Sequence, residues 1–199
     1  IADLAEGLSR VLDALGVDDI DLYGVRTGSM IATELALRQP DRVKHLILDE
    51  LTVPGPARST GSIGDPCPPP DAIGSQINWA FHVMKDHWSF YPWWQRDAEH
   101  RNPWSLPAPM ELHEETVAVL KAIRTFGKPY NAAMRWPRDD RLPLLKVPTM
   151  VLHEPTGKIY PDMRPTAKVI PGGVFRDLPP GDTTQPAKAR TIAAWLAES

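Results

Sequence analysis

Residues 21–49 read Asp21-Leu-Tyr-Gly-Val-Arg-Thr-Gly-Ser-Met-Ile-Ala-Thr-Glu-Leu-Ala-Leu-Arg-Gln-Pro-Asp-Arg-Val-Lys-His-Leu-Ile-Leu-Asp49. This order predicts a strand at Ile20–Tyr23, a tight turn, a helix over 27–38 and a second strand at Val43–Asp49. The helix ends before Pro40, and the final apolar run is typical of a strand buried on both faces of a parallel sheet. The turn has the pattern Gly-x-x-x-Gly over residues 24–28, and the residue that it displays is Arg26.

The rest of the chain alternates between predicted helices and strands. Before the turn, an apolar stripe predicts a helix over 1–15 that Gly16 terminates, with Asp3 and Glu6 at capping-box spacing. Towards the C-terminus we predict strands at 147–153 and 173–178, and helices at 161–169 and 186–197. Alternation of this kind indicates a parallel sheet with right-handed crossovers, flanked by helices.

A helical insertion is predicted between the second and third of these strands. It begins with a proline-rich loop over 51–72, continues with helices at 73–87 and 109–126, and holds five of the seven tryptophans between Trp79 and Trp104. The predicted organisation is therefore a sheet domain made of 1–50 and 146–199, and a tryptophan-rich cap domain made of 51–145.

Composition excludes several classes of function. The 199 residues carry a net charge of −3, which gives no basic surface for nucleic acid. No apolar run is long enough to span a membrane. The single cysteine, Cys67, fits a reducing cytoplasm, where we predict the protein to reside. No cofactor-binding motif and no metal-binding motif such as HExxH occurs, so neither a cofactor nor a metal is expected.

The chain resembles the capped branch of the α/β-hydrolases, which includes epoxide hydrolases, haloalkane dehalogenases and related esterases. The resemblance rests on Asp21–Gly28, on Glu34-Leu-Ala-Leu-Arg-Gln-Pro-Asp-Arg-Val43 and on Val147-Pro-Thr-Met-Val-Leu-His153. It covers only the later portion of that fold and implies that the family's earlier strands are absent. Strand 20–23 would then be an exposed edge. A missing N-terminal segment or a partner chain is expected to cover it.

The resemblance also implies a catalytic triad, which this sequence does not contain. The family places its nucleophile at the turn, called the nucleophile elbow, where Arg26 stands. The position of the triad acid falls on Gly157, and that of the histidine falls on Asp182. A guanidinium stays protonated and cannot attack an ester. We predict instead that Arg26 forms a salt bridge with Asp182; a shifted nucleophile at Ser29 is the less favoured alternative.

Other residues could still supply chemistry at this end of the sheet. Glu50 and His153 end two strands, and the resemblance makes Glu50 a candidate acid and His153 a candidate base, although a strand-end histidine can also simply bond to backbone. Arg26, with the amides at the start of the following helix, could hold an anion, or could be a structural charge paired with Asp182 or Glu50. Further candidates for contact with substrate, or for mere core packing, are Thr27, Trp79, Trp88, Tyr91 and Trp93.

Three functions follow from these observations. The first is hydrolysis, inherited from the family, of a small and largely apolar substrate under the aromatic cap. The second is a lyase or decarboxylase in which Arg26 anchors a substrate carboxylate and His153 or Asp182 moves a proton. The third is a catalytically inactive binding or scaffold protein. In each case the predicted partner is a small molecule.

Overall fold

The computed structural model describes residues 1–51, 67–154, 163–179 and 184–198. Most of the proline-rich segment, together with Gly157 and Asp182, lies outside these ranges, and so does the predicted salt bridge between Arg26 and Asp182. The chain divides into two compact units. Unit 1 combines Ile1–Ser59 with Arg135–Ser199, and unit 2 is Thr60–Met134. The predicted cap boundaries, 51 and 145, stay a prediction.

The described elements alternate as the sequence predicts. The strands are β1 (Ile20–Val25), β2 (Val43–Asp49), β3 (Thr149–His153) and β4 (Val174–Asp177). The helices are α1 (Ala2–Leu15), α2 (Thr27–Arg38), α3 (Ser75–Ser89), α4 (Pro109–Lys121), α5 (Gly127–Met134), α6 (Arg138–Arg141), α7 (Arg164–Val169) and α8 (Gln185–Glu198). A 3-10 turn at Leu142–Leu144 follows α6.

Unit 1 is built on a parallel sheet in the order β1-β2-β3-β4, which confirms the predicted parallel sheet. Among the described residues β1 pairs with β2 alone, and its Tyr23 and Val25 are each 40% exposed. That an upstream segment or a partner chain covers this edge stays a prediction.

The two faces of the sheet carry different helices. Ile47, Met150 and Leu152 form a buried cluster with Trp195 of α8, so α8 packs on that face. Side chains alternate along a strand, and Asp49 therefore points to the same face as Ile47. Gly24 belongs to the opposite face, where α2 packs against β1 and β2. The sheet of unit 1 is thus covered on both sides.

The close contact between β1 and α2 depends on Gly24. A Cβ atom at this position would lie 2.5 Å from the carbonyl oxygen of Gly28 and 2.8 Å from the Cα of Ser29. At Gly28, the same atom would meet nothing within 4 Å. The close approach therefore depends on the glycine of the strand and not on the glycine of the helix.

The ends of some helices differ from the predictions, and two short helices were not predicted. Gly16 ends α1 in the left-handed conformation, with φ 64°, as expected. The capping box was wrong: α1 begins at Ala2 with Ile1 as its N-cap, which places Asp3 inside the first turn. The helix predicted over 109–126 ends at Lys121, and the short helices α5 and α6 follow without having been predicted.

A buried carboxylate joins α2 to the segment before β3. Glu34 accepts a hydrogen bond from the indole of Trp136 at 2.8 Å and two from the guanidinium of Arg141, each at 2.8 Å. Burial disfavours the charged form of Glu34, but the hydrogen bonds from Arg141 and Trp136 hold its pKa below the ordinary value. The contact therefore holds α2 to a segment that lies more than 100 residues further along the sequence.

Replacing Glu34 by alanine is expected to cost about 2–4 kcal/mol of unfolding free energy, because it leaves the donors of Trp136 and Arg141 without their acceptor. The folded pKa of Glu34 lies below its unfolded value of 4.5, so the contribution is complete above pH 4.5 and is lost as the pH falls through the folded pKa. Urea unfolding at neutral pH and below pH 4.5 measures both effects. Glu6→Ala, in an exposed pair with Arg10, is the control and should change stability by about 0.5 kcal/mol or less. An equal difference between wild type and Glu34→Ala at both pH values would contradict the assignment.

Unit 2 contains α3, α4 and α5 and a connected set of aromatic rings. Trp79 makes edge-to-face contacts with Trp93 and Phe126, and Trp94 makes them with Trp93 and Tyr130. All four contacts have interplanar angles between 88° and 90°, an arrangement that the ring quadrupoles favour. The aromatic cluster is therefore a packing core for unit 2.

Candidate functional site

The turn between β1 and α2 holds Arg26 in a strained backbone conformation. Its φ of 54° and ψ of −120° lie outside the regions that residues with a side chain normally adopt. The backbone N–H of Arg26 donates to the carbonyl of Asp49 at 3.0 Å, and the N–H of Ser29 donates to the carbonyl of Arg26 at 3.0 Å. Strain of this kind costs about 1–3 kcal/mol and persists where surrounding contacts enforce it. The elbow geometry is therefore retained, although residue 26 is not a nucleophile.

Ser29 cannot take over the nucleophilic role. It is fully buried, and its hydroxyl lies 2.7 Å from the carbonyl oxygen of Gly24 and 2.8 Å from that of Asp49. Either acceptor can receive its single proton, and both hold the oxygen inside the turn. The alternative of a shifted serine nucleophile is therefore wrong; the hydroxyl of Ser29 stabilises the elbow.

The side chain of Arg26 forms an ion pair with Glu50, the residue after β2. The guanidinium Nε lies 2.7 Å from the Glu50 carboxylate. The Arg26 side chain is 54% exposed and that of Glu50 is 12% exposed. Glu50 also has a positive φ of 47°, so both partners occupy strained backbone positions. This pair holds the guanidinium at the elbow while leaving about half of the side chain open to solvent.

The register of the sheet brings three predicted site residues to one edge. Val25, Asp49 and Leu152 are aligned across β1, β2 and β3, so the residues that follow them, Arg26, Glu50 and His153, lie side by side at the carboxyl ends of the strands. His153 is buried, and its ring packs against Phe175 with the centroids 5.8 Å apart. A cation, a carboxylate and an imidazole thus occur in line at this edge.

Beneath the elbow lies a second charged group that the sequence did not reveal. The Asp49 carboxylate is completely buried, and its Oδ2 accepts hydrogen bonds from the hydroxyl of Tyr23 and from the ammonium of Lys188, the latter at 2.8 Å. The other oxygen, Oδ1, is buried without a hydrogen-bond partner. Lys188 comes from α8, so this contact connects the C-terminal helix to the strand whose carbonyl holds the elbow.

The tyrosine in this cluster donates a hydrogen bond to Asp49 and stays protonated near neutral pH. Partial burial of the phenol raises its pKa well above the ordinary value, and the hydrogen bond to Asp49 and the negative charges of Asp49 and Glu50 raise it further. Tyr23 therefore stays protonated and is not a base for catalysis. Together with Lys188 it keeps the carboxylate of Asp49 in place.

The remaining predicted contact residues are found in two places. Thr27 is the first residue of α2, next to Arg26. The other four belong to unit 2, where Trp93 is buried in the aromatic cluster, Trp88 donates its indole N–H to Glu115 at 2.8 Å, and Trp79 and Tyr91 are half-buried. Their role in binding a substrate stays a prediction.

A family model described as the alpha/beta hydrolase fold matches residues 1–142. This chain belongs to the α/β-hydrolase family. The elbow at residues 24–28 and the parallel sheet are therefore features of that fold. Among the described residues, no helix is both long and apolar enough to cross a bilayer.

Curated relatives match the chain over short stretches. A putative carbamate hydrolase, RutD, from Azorhizobium caulinodans is 43% identical over 61 residues, which are 31% of this chain and 22% of the relative. A homoserine O-acetyltransferase from Thermus thermophilus is 46% identical over 48 residues, which are 24% of this chain and 13% of the relative. The chain thus matches less than a quarter of the length of either protein.

Solved structures match almost the whole chain at low identity. Est816, described as an N-acyl homoserine lactone degrading enzyme, is 21% identical with a TM-score of 0.59, and the match covers 99% of this chain and 73% of Est816. A hydrolase from Pseudomonas aeruginosa has 17% identity and a TM-score of 0.64, with coverage of 98% and 71%. A thermophilic esterase from Thermogutta terrifontis has 22% identity and a TM-score of 0.58, with coverage of 98% and 71%. At such identities the likeness concerns the fold.

Proposed function

We propose that this member of the α/β-hydrolase family binds a small organic carboxylate at its elbow, without forming a covalent acyl-enzyme there. The observation that carries the proposal is Arg26 itself: a guanidinium stands where the fold displays a nucleophile. Because it stays protonated, it can attract an anion but cannot attack a carbonyl carbon.

The position of Arg26 suits a planar anion. A guanidinium has five N–H donors in a rigid fork, and carboxylates accept two of them in parallel. Glu50 contacts Nε at 2.7 Å, and the Arg26 side chain is 54% exposed at the carboxyl edge of the sheet. The start of α2 adds a favourable helix dipole at the same place. Glu50 would then orient the fork as well as balance part of its charge.

The proposal is tested by titrating the protein with short monocarboxylates, such as acetate and propionate, and measuring the heat of binding by calorimetry. Arg26→Ala should weaken binding by about tenfold or more, since the lost contacts are charge-assisted hydrogen bonds. Arg26→Lys should lose part of the affinity, because an ammonium keeps the charge without the fork. The control is Arg10→Ala, which removes an exposed arginine of α1 that also pairs with a glutamate. Unchanged affinity in Arg26→Ala would overturn the proposal.

A second candidate is hydrolysis by an activated water, favoured by family membership and by the line of Arg26, Glu50 and His153. In that reaction a side chain at the edge would take a proton from water while Arg26 stabilised the developing oxyanion. Steady release of p-nitrophenol from p-nitrophenyl acetate, without a burst and abolished by Glu50→Gln, would favour this candidate. No turnover, combined with carboxylate binding, would favour the first. A largely apolar substrate and an aromatic cap above it stay predictions from the sequence.

A further inference from the structure

Unit 2 contains a cavity of its own beside the junction of α4 and α5. Its volume is about 280 Å³, and an adjoining space of about 420 Å³ shares Cys67, Ile123 and Arg124 with it. An apolar cavity of about 150 Å³ is already enough for benzene. The lining of the first cavity includes Cys67, Trp79, Ile123, Arg124, Phe126 and Lys128.

The lining combines aromatic surface with positive charge. Trp79 and Phe126 meet edge to face with centroids 6.0 Å apart, and Ile123 adds an aliphatic wall. Arg124 and Lys128 are exposed at the cavity, and no aspartate or glutamate is among the lining residues that the structure describes. Although the protein has a net charge of −3, the lining of this cavity is locally cationic and favours the binding of an anion.

One lining residue has an unused donor. The indole N–H of Trp79 is buried and has no hydrogen-bond partner. Buried donors are normally paired, so an unpaired one beside a cavity is a place where an acceptor can gain a hydrogen bond after a small side-chain movement. An aromatic or aliphatic group packed on the rings and a negative group near Arg124 and Lys128 would use all of these features.

From this combination we infer that unit 2 has a separate binding site for a small amphipathic carboxylate, with a ring or short acyl chain against Trp79 and Phe126. The site is distinct from the carboxylate site proposed at Arg26, because the described residues that line it belong to unit 2. It requires no covalent step. The ligand would have roughly the size of phenylacetate, which a cavity of 280 Å³ accommodates.

Cys67 offers a reporter that acts only at this site. It is the single cysteine of the chain, and it lines both spaces. Partial burial raises the pKa of its thiol. Alkylation by iodoacetamide, in which the thiolate displaces iodide, is therefore slow in the free protein. A bound carboxylate should slow it further, both by covering the sulfur and by disfavouring the thiolate.

The experiment measures the alkylation rate of Cys67 in the full chain against increasing phenylacetate, with neutral phenylacetamide as the comparison ligand. We expect saturable protection by phenylacetate and weaker protection by phenylacetamide. The double variant Arg124→Ala/Lys128→Ala should need roughly fivefold more phenylacetate for half protection, since two exposed charges each contribute a fraction of a kcal/mol. Lys121→Ala, an exposed lysine of α4 outside the lining, should behave as wild type.

The outcome separates this site from the elbow. Protection that survives Arg26→Ala and weakens in the double variant supports the site in unit 2, whatever the calorimetry of Arg26 shows. Protection lost in Arg26→Ala but unchanged in the double variant would overturn the inference. Absence of protection in the wild type, or equal protection by phenylacetamide, would overturn it as well.

Discussion

Replacing Gly24 by alanine should destabilise the protein by about 3 kcal/mol or more, measured as the free energy of unfolding in urea. The added Cβ would lie 2.5 Å from the oxygen and 2.7 Å from the carbon of the Gly28 carbonyl. These are backbone atoms of the first turn of α2, so no side chain can rotate away to relieve the contact. The carbonyl oxygen of Gly24 also lies 2.7 Å from the hydroxyl of Ser29, and moving the strand would disturb this contact. Relief therefore requires β1 and α2 to separate.

Gly28→Ala is the matched control, since both glycines belong to the same Gly-x-x-x-Gly pattern. At Gly28 a Cβ meets nothing within 4 Å, and the residue lies within the helix. Alanine is preferred to glycine in a helix by about 0.5–1 kcal/mol, so this variant should be as stable as the wild type or slightly more stable. Equal losses in the two variants would show that the close approach at Gly24 is not what constrains the turn.

Much of the sheet could be predicted because its signals are local. The apolar run Val43–Asp49 has the bounds of β2, and the helix predicted over 27–38 has the bounds of α2. Strands that alternate with helices then leave few possible arrangements. The strand order β1-β2-β3-β4 needed the resemblance to the family in addition, since periodicity alone does not give the order of strands.

The two helices that were missed are short, and each has a proline within it or directly before it. In α5 the proline, Pro129, is the third residue, so it lies in the first turn of the helix, where its missing N–H costs nothing. The 4-residue α6 follows Pro137 and is supported by Arg141 bonding to Glu34 across more than 100 residues. Such long-range support is invisible in local sequence.

The positions of the candidate site residues were predicted in part. Local sequence marks the strand ends that carry them, whereas their ion pairs join residues that are far apart in the sequence. Arg26, Glu50 and His153 follow from strand ends, which the sequence marks well. The ion pair of Arg26 with Glu50 was one of two alternatives, and the other, Asp182, lies outside the described residues. Lys188 was overlooked, although its spacing of four from Ile192 and seven from Trp195 puts it on the inward face of α8. A lysine on a buried helix face indicates a buried acid opposite.

Removal of that lysine is the second change with a large expected effect. In Lys188→Met, the completely buried Asp49 would lose its cation and keep only the hydroxyl of Tyr23 as a donor. Breaking a buried pair in this way costs about 3–5 kcal/mol, because the remaining charge has neither water nor a counterion. Urea unfolding should show this loss. Lys146→Met, at an exposed lysine that precedes β3, should show a change of about 0.5 kcal/mol or less.

A double-mutant cycle separates the loss of packing from the uncompensated charge. In the double variant Asp49→Asn/Lys188→Met, the side chain at position 49 would be neutral, and its amide oxygen could still accept the hydrogen bond from Tyr23. We therefore expect the double variant to recover about half or more of the lost stability. If the double variant lost as much unfolding free energy as Lys188→Met and Asp49→Asn lose together, Asp49 and Lys188 would not be coupled.

Because the carbonyl of Asp49 accepts a hydrogen bond from the N–H of Arg26, Lys188→Met should also weaken carboxylate binding at the elbow. Recovery of binding together with stability in the double variant would then indicate that α8 acts on the elbow through Asp49.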